Sequence, residues 1–496
     1  MLGPPAVCPS LLDMGLMKLT VFGTGYLGAT HAACMAELGH DVLGVDVDPA
    51  KVDSLNDGHA PFHEKGLDAL LARNISAGRL RFTTSYVEAA GHGSVHFIGV
   101  GTPQRKGSYR ADTRFVEAVV DELVPLLAGD HLIVGKSTVP VGTAVALQER
   151  INELGYREDV AEQNVEVCWN PEFLREGRAV RDTLAPDRIV VGVAEPGTSS
   201  AQKVEDTLRE VYAGCIDPAA PDQVTEQTPS PFVLVDLPTA ELVKVSANAF
   251  LATKISFINA VSEVCEASGA DVTQLATAIG MDERIGRKFL HAGLGFGGGC
   301  LPKDIRAFMA RAGELGADQT LTFLREIDSI NMRRREKLVN LTRKACGGDV
   351  LGHRVTVLGA TFKPESDDVR DSPALNVAGS LSLAGAQVRV YDPMGNDNAR
   401  RLFPTLDYAD TVEEALTDAE VVIVATEWSE FRELDPVAAR EYVARPVVLD
   451  GRNCLPAEEW VAAGWSYRGL GRSVGRGLQG GPQVSVGVGN EAGLYG

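Results

Sequence analysis

The sequence predicts an α/β protein with two doubly wound parallel-sheet domains joined by a helical middle. Three observations predict it. From Lys18 to about Gly214, short apolar runs alternate with helical stretches, as expected for strands covered on both faces by crossover helices. The same alternation resumes after residue 353, and between the two lie long stretches with helical spacing. The length, 496 residues, suits about three folded units of roughly 150 residues each.

In the first unit, residues 17–214, the strands are Lys18–Gly23, Val42–Asp46, Val95–Val100, His131–Lys136, Val165–Trp169 and Arg188–Val193. Apolar helical patterns fall at Ala29–Leu38 and Arg114–Leu127. A loop rich in Pro, Asp and Thr runs from Asp217 to Pro231, and the apolar run Phe232–Val235 opens the middle unit, 232–345. Thr239 is placed to cap a helix running through Glu266. A second helix, Leu321 to Ala345, sets Leu324, Ile327, Ile330, Leu338 and Leu341 near helical spacing, and Gly347–Gly348 stops it. The last unit, 346–470, carries the strands Arg354–Gly359, Gln387–Asp392, Val421–Thr426 and Pro446–Asp450. Residues 1–16, with three prolines and no Lys or Arg, read as a disordered extension without a signal peptide's basic start. Met17, directly before the first strand, is an alternative start. The glycine-dense segment 471–496 reads as a disordered tail.

Composition narrows the function. Lys plus Arg number 47 and Asp plus Glu 67, a formal charge of −20, so bulk charge argues against nucleic acid or an anionic membrane as partner. No apolar run approaches the roughly 18 residues that cross a bilayer. The eight cysteines are scattered without a C-x-x-C pair, so no zinc site is signalled, and reduced thiols in the cytoplasm are expected.

After the first strand comes Gly23-Thr24-Gly25-Tyr26-Leu27-Gly28, opening an apolar helix. The glycines permit a tight turn and let backbone amides approach a pyrophosphate at the positive end of the helix. Asp46 ends the next strand, where a carboxylate accepts from ribose hydroxyls and repels a 2′-phosphate, favouring NAD over NADP. The corresponding turn of the last unit, Gly359-Ala360-Thr361-Phe362-Lys363-Pro364, lacks the glycine pattern, and Arg370 follows on the same loop. It is either a site for a different anionic ligand or a solvated basic loop.

In Gly293-Leu294-Gly295-Phe296-Gly297-Gly298-Gly299-Cys300-Leu301-Pro302-Lys303-Asp304, glycine density suits backbone lying against a ligand. Pro302 marks a helix start, so Cys300 sits at a helix N-terminus beside Lys303, a place that favours a thiolate nucleophile. In Asn170-Pro171-Glu172-Phe173-Leu174-Arg175-Glu176, Asn170 reads as cap and Pro171 as first helical residue, with Glu172 and Glu176 on one face. Glu172 is then either a functional carboxylate or a first-turn acid stabilising the helix dipole. Lys244 and Asn248, four apart in an apolar run, line either a wet helix face or a cleft.

These strings, together with Lys136-Ser137-Thr138-Val139-Pro140-Val141-Gly142-Thr143 and Ala240-Glu241-Leu242-Val243-Lys244, occur in the order seen in the nucleotide-sugar dehydrogenases, and from about Lys18 to Gly471 the chain resembles the UDP-glucose 6-dehydrogenases. The resemblance implies two Rossmann-like domains around a helical centre, NAD as cofactor, and a homodimer or higher homo-oligomer. It implies catalytic roles for Cys300, Lys244, Asn248, Glu172, Asp304 and Thr138, with Cys300 as nucleophile in a two-step oxidation of UDP-glucose to UDP-glucuronate. It implies cofactor contacts from Gly23, Gly25, Tyr26, Leu27, Gly28, Asp46, Lys51, Thr102, Thr138, Glu176, Lys303 and Arg370. Substrate contacts would come from Phe173, Leu174, Glu176, Lys244, Asn248, Phe296, Gly297, Phe362, Lys363 and Arg452, and from Arg284 reaching a neighbouring subunit. Gly299 stands where relatives commonly carry serine. GDP-mannose enzymes share the Cys-Leu-Pro-Lys-Asp string, so the alternatives are the same chemistry on another nucleotide sugar, or a single-step dehydrogenase with a structural cysteine.

Overall fold

The computed structural model describes residues 17–155, 164–216 and 229–472. The expected extension 1–16, residues 217–228 of the loop, and the tail from 473 lie outside the described residues. The first two tail residues are held: the Gly471 N–H donates to Glu266 (2.8 Å) and Arg472 pairs with Asp271 (3.3 Å). Disorder from residue 471 is therefore corrected, because two acids of the helical middle take up this end of the chain.

The first sheet has eight strands: β1 (Lys18–Phe22), β2 (Asp41–Val45), β3 (Leu80–Thr83), β4 (Val95–Ile98), β5 (Asp130–Gly135), β6 (Asn164–Trp169), β7 (Ile189–Val193) and β8 (Phe232–Asp236). Their order is β3-β2-β1-β4-β5-β6-β7-β8. Strands β1 to β6 pair in parallel, and the central β1, β2, β4 and β5 are buried on both faces, which is why they read as apolar runs. The sheet is not wholly parallel. At Trp169↔Gly192, β7 meets β6 antiparallel, and β8 runs parallel to β7. The β6–β7 link holds only the six-residue helix Ala179–Leu184 and returns the chain beside β6 in the opposite sense. In this sheet β3, short with alternating burial, escaped the sequence reading, and the apolar run expected to open the middle unit is β8, which joins this sheet instead.

The middle is organised by a 32-residue helix, Leu237–Ser268. Asp236, not Thr239, caps it: the Asp236 carboxylate accepts from the Thr239 N–H (2.7 Å), and Pro238 occupies the first turn. Against it pack the helices Leu301–Glu314 and Phe323–Ala345. A six-stranded parallel sheet follows: β9 (Arg354–Leu358), β10 (Gln387–Tyr391), β11 (Asp407–Tyr408), β12 (Val421–Val424), β13 (Val447–Asp450) and β14 (Ser466–Gly469), in the order β11-β10-β9-β12-β13-β14. Both sheets aim the C-terminal ends of their central strands at the helical middle. Loops at those ends are where ligands bind in open α/β sheets.

Candidate active site

At the end of β1 the backbone turns sharply. Gly23 has φ +84°, and a Cβ there would lie 2.7 Å from Val100. A Cβ on Gly28 would fall 1.7 Å from the Gly23 carbonyl oxygen, so the helix Tyr26–Glu37 can approach the strand only through glycine. Gly25 is the N-cap, without a side-chain cap, and a Cβ there would meet nothing within 4 Å. The first-turn amides thus face an open cradle. Asp46 accepts from the Thr24 N–H and hydroxyl (2.8 and 3.0 Å) and the Asp48 N–H (3.1 Å), with Lys51 at 3.6 Å. Burial works to raise its pKa, but these donors and Lys51 bring it below the usual carboxylate value. A lone pair remains for a ribose hydroxyl. The cradle fits a dinucleotide. Leu27 is half-buried in the first turn, and the Thr102 hydroxyl donates to the Thr138 carbonyl (2.6 Å), tying the loops after β4 and β5 together.

The second sheet repeats the turn and disables it. Asp392 accepts from the Ala360 and Thr361 N–H groups and the Thr361 hydroxyl, as Asp46 does from Thr24. It also accepts from the Trp428 indole (3.1 Å) and from the Met394 and Gly395 N–H groups. That carboxylate is saturated and has nothing left for a ribose.

Three polar side chains on one buried face of the central helix reach three different elements. Glu241 accepts from the Gly142 and Ala144 N–H groups (2.6 and 2.8 Å) at the start of the helix Thr143–Leu154. The Lys244 ammonium lies 2.9 Å from Glu172. Asn248 donates to Asp304 (2.7 Å). Asp304 sits in the first turn of the helix that Cys300 caps. One centre therefore holds Cys300, Lys244, Asn248, Glu172 and Asp304. Both Lys244 and Asn248 are buried, so neither lies on a wet helix face.

The charge state of the thiol departs from expectation. Although solvent reaches Cys300, partial desolvation pushes the thiol up to about 12, with Asp304 and Glu172 adding to the effect and Lys244 opposing it. Lys303, expected to favour the thiolate, is paired with Asp304 at 2.6 Å. The resting site holds S–H. Burial disfavours the Lys244 charge, yet Glu172 keeps its pKa above the ordinary lysine value.

The Asn170–Glu176 segment is not a helix; the next one begins at Ala179. Asn170 cannot cap because its side chain is spent elsewhere. It accepts from Lys136 (3.0 Å) and Tyr212 (2.6 Å) and donates to the Val190 carbonyl (2.8 Å). Glu172 instead accepts from the Leu174 N–H (2.5 Å). The Phe173 ring lies 3.7 Å beneath the Arg188 guanidinium and 5.7 Å from the Lys244 ammonium. Glu176 turns to the other sheet, accepting from Ser366 (3.2 Å) and pairing with Arg370 at 3.3 Å. Burial, with Asp368 nearby, raises its carboxyl to about 7.

Lys363 donates to the Glu176 carbonyl (2.7 Å) and stands 5.3 Å from the Phe362 ring. Phe362 lies against Gly298, where a Cβ would come within 2.8 Å of the ring. At Gly297 a Cβ would come within 2.4 Å of the Asp371 carbonyl, and at Gly299 within 2.4 Å of the Arg370 guanidinium. Asn331 brackets the backbone of the buried Phe296 at both N–H and carbonyl. Arg452 stitches the carbonyls of Gly295, Phe362 and Ala425 together.

Two expected residues stand apart. Arg284 is exposed and, among the described residues, paired only with Asp282 (2.6 Å), outside this chain's cluster. The Tyr26 hydroxyl is engaged with Glu64 rather than facing the cradle. Glu64 escaped the sequence reading. It accepts from Gly177 (2.7 Å) and Ala179 (2.8 Å) and so fixes the turn carrying Glu176. Glu241 was visible in sequence only as part of a motif. Arg311, which donates to the Val141 carbonyl (2.8 Å), left no local signal, since its partner lies 170 positions away.

A glycine cradle with a carboxylate at its rim, facing a thiol–lysine–carboxylate centre, defines an NAD-dependent oxidoreductase. Residues 17–216 match the NAD binding domain of the UDP-glucose/GDP-mannose dehydrogenase family, 238–333 its central domain and 356–457 its UDP binding domain. The chain belongs to this family. It is 41% identical over 456 residues to a UDP-glucose 6-dehydrogenase of Rhizobium meliloti, covering 92% of this chain and 100% of that one. To UDP-glucose 6-dehydrogenase YwqF of Bacillus subtilis it is 37% identical, covering 92% and 98%. A solved UDP-glucose dehydrogenase from Pyrobaculum islandicum superposes with TM-score 0.82 at 36% identity, covering 94% and 100%.

Proposed function

We propose that the protein oxidises UDP-glucose to UDP-glucuronate in two successive steps, with Cys300 carrying the sugar between them. Residues 17–214 would hold NAD, 346–470 the nucleotide sugar, and the middle unit the reacting groups. The convergence of Cys300, Lys244, Asn248, Glu172 and Asp304 supports this reading above all. Bound NAD supplies a hydride acceptor, one molecule per step, leaving as NADH. The 6-hydroxyl first loses its proton, through water, to Glu172 or Asp304, and its carbon loses a hydride to give an aldehyde. The Cys300 sulfur then bonds to the carbonyl carbon, its proton passing to a neighbouring carboxylate. The carbonyl oxygen takes a proton back from that carboxylate and becomes a hydroxyl, giving a thiohemiacetal. Loss of that hydroxyl proton and a second hydride leaves a thioester. Water adds to it, the C–S bond breaks, and carboxylate and free thiol result. Lys244 and Asn248 stabilise the oxyanion at each stage, and Thr138 orders the water or the nicotinamide. Phe362, Lys363 and Arg452 hold the nucleotide sugar.

A stripe of exposed apolar residues, Phe250, Phe257 and Val264, recurs every seven residues along the central helix, each more than half exposed. We infer that a second copy covers it, carrying Arg284 to its neighbour's sugar. Among the described residues no helix is long and apolar enough to cross a membrane, and cytoplasmic residence accords with the free thiols. The test is product stoichiometry over a panel of nucleotide sugars. Two NADH per UDP-glucose is expected. One NADH per sugar favours the single-step alternative, and preference for a GDP-sugar overturns the substrate assignment.

A further inference from the structure

Lys136, just after β5, takes no part in the chemistry proposed above, yet it is a buried ammonium close to it. Among the described residues no carboxylate lies within ion-pair distance of it, and its hydrogen-bond partners are two neutral oxygens, Asn170 Oδ1 (3.0 Å) and the Tyr212 hydroxyl (3.1 Å). Tyr212 donates to the same Asn170 oxygen (2.6 Å), closing a triangle. The backbone N–H of Asn170 is held by the Gly135 carbonyl (2.8 Å), one residue before Lys136. Asn170 is where the chain leaves β6, and two residues later Glu172 meets Lys244 across the reactive centre. A buried, unpaired ammonium is destabilising, so a fold that needed only packing here would favour an apolar side chain.

We propose that Lys136 is a positioning residue for Glu172, acting through the Lys136–Asn170–Tyr212 triangle to hold the Glu172 carboxylate against Lys244 and Cys300. The proposal rests on the reading of Glu172 as a working carboxylate. The groups facing Lys136 are Asn170 and Cys168 from β6 and its exit loop, Tyr212 and Cys215 from the helices after β7, and His31 from the first helix, with Glu172 and Lys244 beyond. None of the near groups carries a negative charge at neutral pH: burial raises both thiols and the tyrosine and keeps His31 uncharged. Glu172 is thus the acid that feels the ammonium. Burial lowers Lys136 to about 8, with Glu172 opposing the fall, so the lock is charged at neutral pH and opens in mild alkali.

The test is Lys136→Met in the full-length enzyme. Turnover should fall roughly ten- to a hundredfold, the cost of a misplaced reacting group, while KM for both substrates stays within about threefold. The alkaline decline of kcat near pH 8 in the wild type should be absent from the variant. Tyr212→Phe should show the same split more weakly, and it carries the test if Lys136→Met does not fold. In the free enzyme, the pH midpoint for alkylation of Cys300 by iodoacetamide, followed on its peptide by mass spectrometry, should move downward as Glu172 leaves the thiol. That readout needs no substrate. If the wild type fails to oxidise UDP-glucose but the midpoint moves, positioning stands and the substrate reading falls. An unchanged midpoint with unchanged kcat overturns the proposal. So does a loss of melting temperature, NAD affinity and turnover in equal step, since Lys136 would then serve the fold alone.

Discussion

The Lys244 ammonium and the Glu172 carboxylate lie 2.9 Å apart, joining the long central helix to the loop that leaves β6. Neither element places its residue alone. Lys244 sits in an apolar helical run, and Glu172 is on a stretch without regular structure. Their pairing sets the balance at Cys300, whose thiol Glu172 raises and Lys244 lowers. Glu172→Gln should therefore have two opposite effects. Turnover should drop about a hundredfold or more with the loss of a base, followed by NADH absorbance. Alkylation of Cys300 at pH 8 should become faster, because the thiol titrates lower without the neighbouring charge. Slower alkylation would remove Glu172 from the environment of the thiol.

The two helix-side glycines of the cradle separate folding from binding. At Gly28 a Cβ would strike the Gly23 carbonyl oxygen at 1.7 Å, whereas at Gly25 it would enter open space at a φ of −71° that any residue accepts. Gly28→Ala should lower both the melting temperature and NADH affinity. Gly25→Ala should melt with the wild type yet bind NADH roughly tenfold or more weaker, a loss of about 1.4 kcal/mol or greater, because the methyl occupies the place of the pyrophosphate. Fluorescence titration with NADH and calorimetry on both variants measure the difference. Unchanged affinity in Gly25→Ala would move the pyrophosphate elsewhere.

What could be read from the sequence was what local chemistry decides. The turn at Gly23–Gly28, Asp46 at the end of its strand, and Cys300 at a helix start all follow from neighbours within a few residues. The helix expected at Pro171 failed for the opposite reason. Asn170 has the right neighbours for a cap, but Lys136, Tyr212 and the Val190 carbonyl, remote in the chain, take up its side chain. The antiparallel return at β7 was equally invisible, since a strand buried on both faces reads the same in either direction. The helix-start rule located Cys300 correctly and misjudged its ionisation, because tertiary packing buries the thiol, Asp304 and the sequence-remote Glu172 disfavour its charge, and Lys303 turns to Asp304.

Glu241 gives the central helix a pH dependence. Burial raises its carboxyl to about 7, against the hydrogen bonds from Gly142 and Ala144 and the charge of Arg311. The unfolded value is near 4.5, so the folded state binds the proton more tightly. The stabilisation is complete below pH 4.5 and is lost as the pH rises through 7. Glu241→Gln fixes the neutral form and should flatten this loss. Denaturant midpoints for wild type and variant should converge at pH 5 and separate in favour of the variant by pH 8. A difference independent of pH would mean that the carboxyl is already ionised throughout.

Arg284 tests the assembly. In its own chain it is exposed and, among the described residues, forms an ion pair only with Asp282, so a role at the sugar requires a neighbour. A site built from the Cys300 of one chain and the Arg284 of the other has a genetic signature. Cys300→Ser and Arg284→Ala homodimers should each be nearly inactive at limiting sugar. In a mixed dimer, one site carries both substitutions, and the other combines an intact thiol with an intact arginine. Co-expression with two affinity tags, then tandem purification of the heterodimer, should recover about half the wild-type activity from that single intact site. No recovery, in a heterodimer shown intact by light scattering, would mean that Arg284 serves its own chain or none.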